Sequence, residues 1–321
     1  MATELQSKES TVTMKAVRMH AYGGPEVLVY EDAPKPKAAS GEVLIRVHAA
    51  GVNPLDWKVR SGYAQSGRNR LPLIPGWDVS GVIVDAGDGA MGFKNGDPVY
   101  GMLDFSRDGA YARYTVARAS IIAPKPQTLD YIHAAAIPLD SLVAWQTMFD
   151  VAGLSAGQTV LIHGASGGVG HLTVQLAKWG GARVIGTASA HNADFVREMG
   201  ADEVIDYHVA RFEDVAHDVD VVLDTVGGDT QQRSWKVLKK GGVLISTVGI
   251  SSPEEADRYG VRGVSFGVRP DAAELTKIAR LIDDGKMKPV INTVLPLSDA
   301  IIAHEMSQTG HVRGKIVLKV T

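Results

Sequence analysis

The chain has 321 residues, a net charge of −3 and 45% hydrophobic residues, enough for two cored domains and without a basic face for nucleic acid. It contains no cysteine, which excludes disulfides, thiolate catalysis and cysteine-ligated zinc or iron–sulfur centres and fits a cytosolic protein. No run approaches about 18 apolar residues, so no membrane-spanning helix is predicted.

Residues 1–12 are polar, lack an apolar signal region and predict a disordered extension. Residues 13–130 read as a β-rich domain with many glycines and prolines, with strands over Val43 to Val47, Val79 to Val84 and Tyr111 to Val116. Residues 131–268 alternate between strands and helices, with strand segments at Val160, Val184, Val204-Ile205, Val219 to Asp224 and Val243 to Ile245. Residues 269–321 carry a helix over Ala272 to Asp284 and a last strand from Lys315 to Val320, which is expected to close the first domain rather than extend the second sheet.

The most informative stretch is His163-Gly164-Ala165-Ser166-Gly167-Gly168-Val169-Gly170. It follows the apolar run Thr159 to Ile162, a buried parallel strand by length and composition. It precedes a helix with Leu172, Leu176 and Trp179 at helical spacing, ended by Gly180-Gly181. Strand, glycine turn and helix in that order make a phosphate cradle, because small residues admit the pyrophosphate and free N–H groups at the helix start face it. Ala165-x-Gly167-x-x-Gly170 is the dinucleotide fingerprint with alanine at the first glycine. The same residues satisfy the G-x-S-x-G elbow of serine hydrolases, with Asp224 and His304 as nominal partners. Gly170, the downstream alternation and the roughly 150 preceding residues favour the dinucleotide.

No acid stands between Gly170 and Asp194, which belongs to the next helix. An acid at the tip of the second strand, at Ala188-Ser189, would bind the ribose 2′-hydroxyl of NAD and repel a 2′-phosphate. Its absence, with Ser189 and His191 as donors, points to NADP(H). A loop indifferent to the phosphate is the alternative, since no Lys or Arg lies between Val184 and Ala193.

Together with the glycine turn, five further segments carry a family resemblance: Gly23 to Leu28, Ala50 to Asp56, Pro75 to Gly81, Asp224 to Gly228 and Gly310 to Leu318. The chain resembles the zinc-independent medium-chain dehydrogenases/reductases of the quinone oxidoreductase (zeta-crystallin-like) group over nearly everything after residue 13. The resemblance implies an α/β protein, a GroES-like β-barrel catalytic domain joined to a Rossmann doubly wound parallel sheet, acting as a homodimer through the sheet edge near Val264-Ser265-Phe266. Zinc alcohol dehydrogenases of the superfamily have a cysteine where Asn53 stands, a His-Glu pair where Trp77-Asp78 stand, and a four-cysteine lobe. None of these ligands is present, and each of the ten scattered histidines is expected at a surface or cap. No metal is therefore expected, and without a Lewis acid the remaining chemistry is hydride transfer from NADPH to a quinone or an α,β-unsaturated carbonyl.

The resemblance further implies that Asn53 lies beside the nicotinamide, and that Ala165, Ser166, Gly167, Gly168, Val169 and Gly170 form the phosphate turn. Ser189 and Tyr207 meet the adenosine end, where many relatives have a lysine in place of Ala190. Val248, Gly249, Phe266, Gly267 and Val268 line the nicotinamide, with Arg313, Gly314 and Lys315 nearby. The proton donor stays open among Tyr63, Lys58 and water, with Asn53 and Asp56 in the same loop. An alkenal or enone reductase with little quinone activity and a non-enzymatic NADPH-binding structural or RNA-binding protein are the other readings.

Overall fold

The computed structural model describes residues 12–63, 71–90 and 92–321, so most of the expected extension, residues 1–11, lies outside the described residues. A hairpin of β1 (Thr13–Met19) and β2 (Leu28–Pro34) leads into β3 (Glu42–Val52) and helix α1 (Pro54–Arg60). Then come β4 (Asp78–Ala86), β5 (Pro98–Met102), β6 (Tyr114–Arg118) and β7 (Ile122–Pro124). Tyr111 to Arg113 were expected inside the strand. They meet β1 through an isolated Ala16–Ala112 bridge, and regular pairing with β3 starts at Tyr114.

Helices α2 (Tyr131–Ala135) and α3 (Pro138–Trp145) lead to β8 (Thr159–Ile162), α4 (Gly168–Trp179), β9 (Arg183–Ala188), α5 (Ala190–Glu198) and β10 (Glu203–Asp206). The alternation continues with β11 (Val219–Asp224), α6 (Gly228–Ser234), β12 (Leu238–Ser246), α7 (Glu254–Tyr259) and β13 (Arg262–Ser265). These six strands form one parallel sheet in the order β10-β9-β8-β11-β12-β13. The order reverses between β8 and β11, and a ligand crevice forms at such a switch point, outside the carboxyl ends of the strands.

Every residue of β11 is buried, as the apolar runs require of a central parallel strand covered on both faces. In α4 everything from Gly170 to Ala177 is buried. Val174 and Ala177 pack on the sheet, while Leu172 and Leu176 pack with α3 and the later helix α8 (Ala272–Asp283). Trp179, predicted on the packed face, is 48% exposed, with its ring tilted by 32° to Trp145 and nearly perpendicular to Phe149.

After α8 the chain forms β14 (Ile291–Pro296), α9 (Ala300–Gln308) and β15 (Lys315–Lys319). β15 pairs antiparallel with β3, so the last strand joins the sheet of the first strands as expected. β14, not anticipated from the sequence, lies parallel to β15 at the edge of that seven-stranded sheet. No helix among the described residues is long and apolar enough to cross a membrane.

Candidate active site

Each glycine of the turn after β8 has a separate physical reason. Gly164 has φ +69°, the left-handed region, and a Cβ there would lie 2.7 Å from the Thr225 hydroxyl. Gly170 packs α4 onto the turn, since a Cβ would fall 2.2 Å from the Gly164 carbonyl oxygen. Gly167, which caps α4, differs from both. Its φ of −76° suits any residue, and a Cβ would meet nothing closer than the Gly164 oxygen at 3.4 Å. The space over Gly167 is open, and the first N–H groups of α4 have no partners within the helix. A turn free of side chain at this point is what a pyrophosphate needs, so the residues present fit a dinucleotide.

Ala165 is a correction to the cradle. Its N–H is spent on the Thr187 carbonyl at 3.0 Å, and its side chain is buried against Gly186. The turn is braced from two sides. The Gly314 N–H donates to the Ser166 carbonyl at 2.9 Å, and His171 Nδ1 lies 2.8 Å from the Gly167 carbonyl oxygen. The Val290 N–H donates to His171 Nε2 at 3.2 Å, which fixes Nδ1 as the protonated nitrogen. Burial pushes the His171 pKa down to about 4, so the ring is neutral at ordinary pH.

Beside the turn lies a buried polar cluster built on Asn53, the residue between β3 and α1. Asn53, Asp56, Asp78 and Asp140 are at most 2% exposed, as is Lys315. The Lys315 ammonium donates to Asn53 Oδ1, to Asp140 at 2.8 Å, and lies 3.1 Å from Asp78. Asn53 Nδ2 donates to Asp78 at 2.8 Å, and the Leu139 N–H donates to the other Asp78 oxygen at 2.7 Å. The Asn53 N–H and the Tyr111 hydroxyl both donate to Asp56 Oδ2 at 2.8 Å. Burial pushes the Asp56 pKa up to about 7 despite those two bonds, and it also raises Asp78. Burial opposes the charge of Lys315 too, but Asp140 and Asp78 more than offset this and hold its pKa above the ordinary value.

Asn53 was expected beside the nicotinamide and Lys315 near it, and both turn their polar atoms into this cluster. A catalytic zinc does not fit the residues present. Asn53 and Asp78 bind an ammonium, and Trp77 is buried with its indole N–H on the Arg107 carbonyl. Asp140 escaped the sequence reading, although one carboxylate after the apolar run Ala134 to Leu139 was a usable signal.

Ser189 and Tyr207, expected at the adenosine end, lie near each other past the ends of β9 and β10. Ser189 caps α5, and the Tyr207 N–H donates to the Ala188 carbonyl at 3.3 Å. Asp206 stands opposite Ala188 in the β9–β10 register, and its Oδ1 accepts the His208 N–H. The Arg313 guanidinium, expected near the nicotinamide, lies 5.3 Å from the Phe195 ring centroid on α5. Val248 and Gly249 follow β12, and Phe266, Gly267 and Val268 follow β13, at the carboxyl ends on the other side of the switch point.

Tyr63 is 82% exposed. Lys58 is half-buried, its ammonium 5.8 Å from the Trp57 ring centroid, and burial lowers its pKa. The hydrolase partners do not assemble with Ser166. His304 Nδ1 lies 3.2 Å from Arg60, and Asp224 accepts from Val226, Gly227, Gln231 and Ser246. His163, His171 and His304 are buried, contrary to the expected surface positions. Burial holds His163 near 4 and His304 near 3, so each enters the core uncharged. Among the described residues no group of three or more His, Cys, Asp or Glu is placed to hold a metal ion.

Comparison with known proteins agrees with this geometry. Residues 39–127 match the alcohol dehydrogenase GroES-like domain, and residues 199–318 match the zinc-binding dehydrogenase family. The chain is 36% identical to the quinone oxidoreductase of Mus musculus, over 95% of this chain and 97% of that protein. It is 34% identical to a chloroplastic NADPH-dependent alkenal/one oxidoreductase of Arabidopsis thaliana, over 95% of this chain and 79% of that protein. The solved quinone oxidoreductase of Coxiella burnetii superposes with a TM-score of 0.92 at 36% identity, covering 97% of this chain and all of that one. The chain belongs to the medium-chain dehydrogenase/reductase superfamily, within its quinone oxidoreductase group. It is therefore an oxidoreductase.

Proposed function

We propose that this protein is a zinc-independent, NADPH-dependent reductase of quinones or α,β-unsaturated carbonyls, with residues 131–268 carrying the cofactor. The observation that carries this reading is the open space over Gly167 at the start of α4, at the switch point of the sheet. Bound NADPH supplies a hydride. The chain's part is to hold the pyrophosphate on the turn from Ser166 to Val169 and the adenosine end with Ser189, Tyr207 and Arg313. Val248, Phe266 and Val268 supply an apolar wall for the acceptor, and catalysis rests on positioning and exclusion of water. The enolate or quinol oxygen takes its proton from Lys58, Tyr63 or water.

An enone or alkenal acceptor is the second reading, favoured by Lys58. Its half-buried ammonium and lowered pKa suit a proton donor better than the exposed Tyr63. We further propose a cytosolic enzyme and a homodimer formed through β13, the edge strand of the parallel sheet. Multiple-turnover NADPH oxidation with a panel of quinones, enals and enones tests the reading. Turnover with at least one acceptor class is expected, and NADPH binding without turnover of any acceptor contradicts it.

A further inference from the structure

Charge is unevenly balanced behind Asn53. Asp78 and Asp140 share one ammonium, and among the described residues Lys315 is the only cation in ion-pair contact with either. Asp56, a third buried carboxyl that accepts the Asn53 N–H, keeps its proton below about pH 7 and adds no fixed charge there. Burying more acid than base costs stability, and a buried charge acts over a longer range than an exposed one. This cluster also touches the cofactor turn. A Cβ on Gly168 would lie 2.2 Å from Asp140 Oδ2, and Lys315 directly follows Gly314, whose N–H holds the Ser166 carbonyl.

We propose that the acid excess of Asp78 and Asp140 over Lys315 makes the nicotinamide end of the cleft electronegative and favours the oxidised cofactor over the reduced one. The inference rests on the NADPH reading above. Hydride loss moves the C4–H electron pair with the hydrogen to the acceptor, adds one positive charge to the nicotinamide, and leaves an oxyanion that takes up a proton. A fixed negative potential at that end stabilises the positive charge as it develops, without any side chain touching the ring. This role is compatible with the complete burial of Asn53 and Asp140, which a contact role is not. A cluster that only joins β15, α3, β4 and α1 would affect the two cofactor forms alike.

Asp140→Asn removes one charge and keeps an oxygen for the ammonium. NADP+ and NADPH are titrated separately against wild type and variant by intrinsic fluorescence, and thermal unfolding of the cofactor-free proteins checks the fold. For a charge on the order of 10 Å away at an effective dielectric of about 20 to 40, the ratio of the NADP+ to the NADPH dissociation constant should rise about three- to twentyfold. Asp140→Ser removes the same charge with a smaller side chain and should shift the ratio in the same direction. A ratio unchanged in the folded variants overturns the proposal while leaving the NADPH reading intact. Failure of the wild type to bind either form overturns both.

Discussion

The Gly314 N–H donates to the Ser166 carbonyl at 2.9 Å, so the segment entering the last strand holds the cofactor turn from above. Gly314 has φ +69°, and a Cβ there would lie 2.2 Å from the Val290 carbonyl oxygen. Gly314→Ala should therefore displace this segment and loosen the turn. The expected result is NADPH affinity weakened roughly tenfold or more, together with a lowered thermal midpoint. Unchanged affinity by calorimetric titration would show that the brace is dispensable.

Asp56 predicts how stability depends on pH. Its ordinary value is 3.8, and burial raises it to about 7 in the folded chain. Below about pH 4 both states are protonated, so the full contribution of the group is present. Between about 4 and 7 the unfolded chain ionises while the folded chain keeps its proton, and stability falls with rising pH, by on the order of a few kcal/mol. Asp56→Asn should flatten this segment of the profile, measured by urea unfolding from pH 4 to 8. An identical slope in the variant contradicts the assignment.

On the proposed reading the Arg313 guanidinium, over the Phe195 ring, supplies the cation that the β9 tip lacks. Arg313→Ala should weaken NADPH binding about ten- to a hundredfold, the cost of a charge-assisted bond of about 1.5–3 kcal/mol, and leave NADH binding nearly unchanged. Ala188→Asp should reverse the preference outright. Equal losses for both cofactors in Arg313→Ala would place the guanidinium on the pyrophosphate instead.

Activity should be independent of metal. Extended dialysis against a chelator is expected to leave NADPH-dependent turnover unchanged, with no stoichiometric zinc by elemental analysis. Loss of turnover that zinc restores would mean that Asp78 and its neighbours hold a metal after all.

The parts of this fold visible in the sequence are those set by short-range pattern. The apolar run ending at Ile162, the spaced glycines and the helix after them are local, and each kept its place. What escaped depends on distance along the chain. Lys315 and Asp140 are 175 residues apart, and only the fold brings the ammonium of one to the carboxylate of the other. The histidines failed for a related reason. His171 is buried with Nδ1 on the Gly167 carbonyl one turn back and Nε2 accepting from Val290, 119 residues on, a partner that the residues around it do not show. β14 was missed because it is a six-residue edge strand ending in Pro296, parallel to β15 only through the crossover helix α9.

The central claim, a pyrophosphate seated on the turn, is tested most directly at Gly167. A Cβ there meets only the Gly164 oxygen at 3.4 Å, so Gly167→Val should fold with a near wild-type thermal midpoint. Its larger side chain would occupy the cofactor's space, and NADPH affinity should fall by several kcal/mol. Ser166→Ala should lose only about 0.5–1.5 kcal/mol, one hydrogen bond. A folded Gly167→Val variant that binds NADPH like the wild type, or covalent labelling of Ser166 by a fluorophosphonate in a wild type that binds no NADPH, would contradict the account.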